Sequence, residues 1–94
     1  MISQTVKITN LTGLHLRPAG KLCGKAMEFE GCTITFKYRT HQMTGTSVAN
    51  AKSVLSILGA GVKCGDEIEL ICDGEQEELV LRSMVEFVNS GIGD

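Results

Sequence analysis

The chain has no tryptophan, one tyrosine, three phenylalanines, one proline, no surplus of positive charge and no long apolar run. Each shortage removes a class of function. Nine Lys and Arg stand against eleven Asp and Glu, a net charge of −2, so broad binding to a phosphate backbone is not expected. The aromatics Phe29, Phe36, Tyr38 and Phe87 are too few to form a stacking platform for single strands. No nucleic-acid partner is expected. The segment Met1-Ile2-Ser3-Gln4-Thr5-Val6-Lys7 has no basic stretch leading into an apolar one, so neither a signal peptide nor membrane insertion is expected. Of the four cysteines (Cys23, Cys32, Cys64, Cys72) no pair has C-x-x-C spacing, which disfavours a zinc or redox cluster and leaves four reduced thiols in a cytosolic domain. No metal and no other cofactor is called for.

What is present suffices for one core. Ninety-four residues, 43% hydrophobic and 21% charged, make a single domain over 1–94 that buries roughly 60–65% of the surface its unfolded chain exposes. Alternation over Ser3 to Ile8 reads as a half-buried strand, broken by Asn10-Leu11-Thr12-Gly13. Ala19, Leu22, Cys23, Ala26 and Met27 recur at three- and four-residue steps, predicting a helix over 16–28 with Pro18 in its first turn. Cys32 to Tyr38 alternates as a second strand. The polar run Arg39 to Thr46 reads as a hairpin loop with a solvated His41, leading to a short third strand near Thr44 to Val48. Lys52 to Gly59 carries the start and stop signals of a short helix. Glu67 to Cys72 alternates as a strand ended by Asp73-Gly74, and Glu75 to Asn89 has helical period with acidic residues at its start. Gly91 to Asp94 reads as a frayed tail. The order is βαββαβα, an α+β layout with helices on one face of a sheet.

Chemistry concentrates at His15. It follows a strand and a glycine turn and directly precedes a helix, where backbone N–H groups favour an anion. A neutral imidazole there can attack a phosphoryl group while the helix terminus and the Arg17 guanidinium steady the transferring oxygens. The plainer reading of the same position is a surface histidine that caps a helix. Val54, Leu55, Leu58 and Val62 read from spacing alone as core.

The run Gly13-Leu14-His15-Leu16-Arg17-Pro18-Ala19, followed by Ala51-Lys52-Ser53-Val54-Leu55-Ser56-Ile57-Leu58-Gly59 and by Lys63-Cys64-Gly65-Asp66-Glu67-Ile68, resembles the HPr family. These are the histidine-containing phosphocarriers of the bacterial phosphoenolpyruvate:sugar phosphotransferase system. The resemblance spans nearly the whole chain and implies an open-faced β-sandwich, a four-stranded, mostly antiparallel sheet covered on one face by three helices. It implies a cytoplasmic carrier rather than a turnover enzyme, serving sugar transport. His15 takes the position of the histidine phosphorylated on Nδ1 by enzyme I and discharged by sugar-specific acceptor proteins, and Arg17 that of its stabilising partner. Ser53 falls where some members carry a serine modified by HPr kinase/phosphorylase and read by a catabolite control protein; the same residue would serve as a plain helix cap. The family positions of Val54, Leu55, Leu58 and Val62, with Leu16 and Gly20 from the first helix, imply an exposed docking patch, while Ile57 points inward. Lys21, Lys25 and Lys52 suggest a basic rim for acidic partners.

Departures from the family pattern lie at Leu16, at Gly20, in the lengthened 39–46 segment, which an extended hairpin or an exchanged-strand dimer would accommodate, and in the four cysteines, of which Cys64 is the expected exposed thiol. Two other functions compete. One is a regulatory module of carbon catabolite control working through Ser53 and docking. The other is a small metal carrier, which needs clustered thiols that the spacing does not provide.

Overall fold

The structure, a computed structural model, describes residues 1–39 and 45–92. Its elements run β1 (Ile2–Lys7), α1 (Leu16–Met27), β2 (Cys32–Tyr38), β3 (Ser47–Asn50), α2 (Val54–Ala60), β4 (Glu67–Gly74) and α3 (Glu77–Asn89). Every strand pairing is antiparallel, and the sheet order is β1-β4-β2-β3. The expected α+β layout is what the chain adopts.

Register follows from the alternation. Val6 faces Ile68, Ile34 faces Cys72, and Phe36 lies between Leu70 on one side and Ala49 on the other. All seven of these side chains are buried. A one-residue slip would turn each of them to solvent, so the core fixes the pairing. Over this face pack Ala19, Leu22 and Ala26 from α1, Ile57 and Ala60 from α2, and Val80, Leu81, Met84, Val85 and Val88 from α3. Large side chains buried this completely contribute about 1.5–3 kcal/mol each.

Most differences from the expected boundaries are short. Strand β3 occupies Ser47–Asn50 rather than Thr44 to Val48, because pairing with Thr35–Tyr38 places Ala49 opposite the core residue Phe36. Strand β4 continues through Gly74, paired with Cys32. Helix α3 starts at Glu77 because Gln76 takes a left-handed turn at φ 54°. The hairpin loop, including His41, falls largely on 40–44, outside the described residues.

The C-terminal tail requires a correction. Residues 91 and 92 are not frayed: the Gly91 N–H donates to the Val88 carbonyl and the Ile92 N–H to the Phe87 carbonyl, at 3.0 and 3.1 Å. These are the two backbone bonds of a Schellman closure, and they swing Ile92 into the core at 0% exposure.

The thiols divide by burial. Cys32 and Cys72 are buried, Cys23 is half-buried and Cys64 is exposed, with its Sγ 3.7 Å from the Thr9 carbonyl. Burial, and after it the neighbouring Cys32 thiol, push the Cys72 thiol up to about 12. Cys72 therefore stays a thiol near neutral pH, while the thiolate is the species that reacts. Alkylation of the folded protein with iodoacetamide is expected to label Cys64 first and Cys72 only on unfolding, read by peptide mass mapping. Early labelling of Cys72 would contradict this burial.

Candidate functional site

The site begins with a turn. After β1 the chain reverses through residues 9–14, where Gly13 takes φ +65° and its N–H donates to the Asn10 carbonyl at 3.0 Å. A Cβ on Gly13 would lie 2.7 Å from the Val62 carbonyl oxygen and 2.8 Å from the Lys63 Cα, so the backbone here approaches its neighbour too closely for any other residue. The next N–H, that of Leu14, donates to the same Val62 carbonyl at 2.9 Å, and Leu14 buries its side chain. The turn is thereby fastened to the start of the α2–β4 connection.

His15 follows directly as the N-cap of α1, in extended backbone at φ −80° and ψ −173°. Its carbonyl accepts from the Ala19 N–H at 2.8 Å, which opens the helix. Its ring makes no capping bond and is exposed. His15 is thus a surface residue at the N-cap position, as the plainer reading had it, but its ring does no capping, and the imidazole faces outward at the positive end of a 12-residue helix. Pro18, the third helical residue, is buried and anchors this end without needing an N–H partner. Arg17 is exposed on the same turn.

An open cleft of about 740 Å³ lies here, walled by residues 9–12, by His15 through Pro18 and by Gly91. Gly91 belongs to the Schellman closure after α3, so the tail read as frayed supplies part of the wall. His15 and Arg17 thus share one cleft, with the helix terminus between them.

The docking residues separate into two groups. Leu16 and Leu55 are 69% and 82% exposed, Gly20 is exposed, and Val54 and Leu58 are half-buried. Ile57 is fully buried, as expected. Val62 requires a correction: it is 4% exposed, because Gly61, left-handed at φ 65°, ends α2 and sends the chain inward. Its spacing-based reading as core holds, and it supports the histidine turn from beneath.

The basic rim also changes. The Lys52 ammonium donates to the carbonyls of Phe29 and Cys32, 2.6 Å each, tying the loop before α2 to the α1–β2 connection and the first residue of β2. Lys25 sits 3.5 Å from Glu28 and 5.7 Å above the Phe29 ring. Ser53 is the N-cap of α2, its Oγ accepting from the Ser56 N–H at 3.2 Å, while the Ser56 hydroxyl accepts from the Asn50 N–H at 2.8 Å. Among the described residues no cluster of three or more His, Cys, Asp or Glu is placed to hold a metal ion, and no helix is long and apolar enough to cross a membrane.

A family model described as "PTS HPr component phosphorylation site" matches residues 2–90. The chain belongs to this family. It is 37% identical over 93 residues to the phosphocarrier protein HPr of Chlamydia muridarum, covering 99% of this chain and 83% of that one. It is 34% identical to the phosphocarrier protein NPr of Escherichia coli K12, covering 99% and 97%. An HPr crystal structure from Thermoanaerobacter tengcongensis superposes with a TM-score of 0.84 at 31% identity, covering 100% of this chain and 98% of that one. The open-faced sandwich is therefore the HPr fold, and phosphoryl transfer within the phosphotransferase system is the family's function.

Helix α1 carries two exposed glycines. Gly20 and Gly24 lie on its exposed side, and a Cβ at either would meet nothing within 4 Å. Alanine is better than glycine inside a helix by about 1 kcal/mol. Gly24→Ala is expected to raise stability by about that amount in a urea unfolding curve; no gain would show that the helix is strained there by something other than propensity.

Proposed function

We propose that this protein accepts a phosphoryl group on Nδ1 of His15 from enzyme I and passes it to sugar-specific acceptor proteins in the cytoplasm. It acts as a carrier without turnover of its own. The observation that carries this reading is the exposed His15 imidazole at the N-terminus of α1, in one cleft with Arg17. The neutral ring nitrogen forms the new N–P bond as the bond from phosphorus to the donor nitrogen breaks, and the ring then bears positive charge that the phosphoryl oxygens balance. Arg17 offers a planar fork to those oxygens, and the helix dipole favours the incoming negative charge. Leu16, Gly20, Val54, Leu55 and Leu58 form the apolar surface on which enzyme I and the acceptors dock. Both HPr and NPr are names borne by the relatives, so the acceptor proteins are to be identified by transfer assay rather than by name.

The test is intact-mass spectrometry after incubation with enzyme I and phosphoenolpyruvate, with acid treatment and site mapping. One acid-labile phosphate on His15 supports the reading. Absence of phosphate, while a competent carrier in the same mixture becomes labelled, overturns it.

Ser53 supplies a second, regulatory input in this proposal, through HPr kinase/phosphorylase and a catabolite control protein. Its hydroxyl is half-buried at the start of α2, next to the exposed Leu55. A phosphate there would face the helix dipole and place about two negative charges beside the docking surface. Ser53→Asp is expected to slow acceptance from enzyme I; equal rates for the two proteins would remove Ser53 from the interface.

A further inference from the structure

Asn10 has no part in the function as described, yet among the described residues it is the one buried polar residue in the wall of the histidine cleft. It is 7% exposed. Its Nδ2 donates to the Gly13 carbonyl at 2.5 Å, inside the protein, while its backbone carbonyl accepts the Gly13 N–H at 3.0 Å. The two bonds run in opposite senses and close the Asn10–Gly13 turn on itself. The amide orientation is fixed by chemistry, since the opposite one would press two carbonyl oxygens together. The Oδ1 atom is buried and meets no hydrogen-bond donor among the described residues. The end of the side chain that the fold holds is therefore the amide N–H, fixed on the Gly13 carbonyl.

Gly13 is separated from His15 by Leu14 alone, and its carbonyl belongs to the peptide that begins Leu14. That peptide's N–H donates to Val62. Asn10 therefore grips one end of the peptide whose other end is pinned to the core. The backbone leading into His15 can rotate only if both grips release.

We propose that Asn10 is a positioning residue for phosphoryl transfer, holding the Gly13–Leu14 peptide so that His15 meets the incoming phosphoryl group in line. The inference rests on the carrier reading above. Misplacement of a reacting group by about 1 Å costs up to a hundredfold in rate, whereas the docking surface on α1 and α2 would be untouched by a change in this turn.

The test compares wild type, Asn10→Ala, Asn10→Asp and Ile34→Val, each confirmed folded by circular dichroism at the assay temperature. Asn10→Asp keeps the shape and loses the donor; Ile34→Val is a core truncation outside the cleft that controls for stability alone. The expected result is a kcat for acceptance from enzyme I lowered roughly ten- to a hundredfold in both Asn10 variants, with KM for the carrier within about twofold and Ile34→Val at the wild-type kcat. Hydrogen exchange at the Leu14 N–H should quicken at least about tenfold in the Asn10 variants, beyond any change in global stability. A folded Asn10→Ala protein with wild-type kcat overturns the proposal, as does a rate loss that Ile34→Val reproduces at equal stability. If wild type itself takes no phosphate, the carrier reading fails instead. The exchange rate at Leu14 then decides separately whether Asn10 holds the histidine turn: unchanged exchange overturns that as well.

Discussion

A His15→Ala protein is expected to keep its fold and to lose phosphoryl acceptance from enzyme I down to the background of the assay. The two halves of this expectation come from the same geometry. The imidazole is exposed and makes no capping bond, so truncating it opens no cavity and breaks no interior contact. Surface changes of this kind stay within about 0.5 kcal/mol, and thermal unfolding should show no larger shift. The chemistry behaves differently. Among the described residues the cleft holds no second nitrogen nucleophile of suitable kind: Arg17 is always charged, and the remaining wall is Thr9 through Thr12, Leu16, Pro18 and Gly91. An alanine variant that still takes label from phosphoenolpyruvate would place the acceptor elsewhere, with His41, outside the described residues, the next histidine to replace.

Why some of this was legible in the sequence and some was not follows from particular residues. Strand β2 matched its expected bounds, Cys32 to Tyr38, because Cys32, Ile34 and Phe36 on one face are buried, Tyr38 continues that face half-buried, and the period of two is uninterrupted. Helix α1 matched within a residue because Pro18 marks its first turn and Ala19, Leu22 and Ala26 its buried stripe. The tail was misread because a lone isoleucine among glycines has no periodicity; its burial depends on two backbone bonds that only the end of α3 can supply. Val62 received opposite readings from spacing and from family resemblance, and the inward path after Gly61 decided for spacing. Lys52 read as a surface charge because a lysine's sequence neighbours do not show whether its ammonium reaches water or, as here, two carbonyls. Asn10 was harder still. An asparagine three residues ahead of a glycine signals a turn, but nothing local indicates that the turn is buried.

Gly13→Ala is expected to be the most damaging single change near the site, and Gly61 supplies its control. Both glycines have φ +65°, so alanine at either pays the left-handed penalty of roughly 1–2 kcal/mol. Around Gly61 there is open space. At Gly13 the new Cβ would also lie 2.7 Å from the Val62 oxygen, 2.8 Å from the Lys63 Cα and 3.1 Å from the Cys64 nitrogen. All three are backbone atoms and cannot rotate aside, so the turn must lift away. In lifting, it strains the Leu14 bond to Val62 and the Asn10 lock on the Gly13 carbonyl together. A total above about 3 kcal/mol is expected, against about 1 kcal/mol for Gly61→Ala. In a domain of this size that separates the two melting temperatures by roughly 10 °C. The activities should part further, because His15 is carried on the displaced turn, whereas a Cβ at Gly61 meets nothing and leaves the Val62 carbonyl in place under that turn. Equal melting temperatures for the two variants would mean that the close approach of the turn to Val62 does not exist in solution. A Gly13→Ala protein that accepted phosphate at the wild-type rate while folded would separate the turn from the histidine it precedes, and would take the positioning role of Asn10 with it.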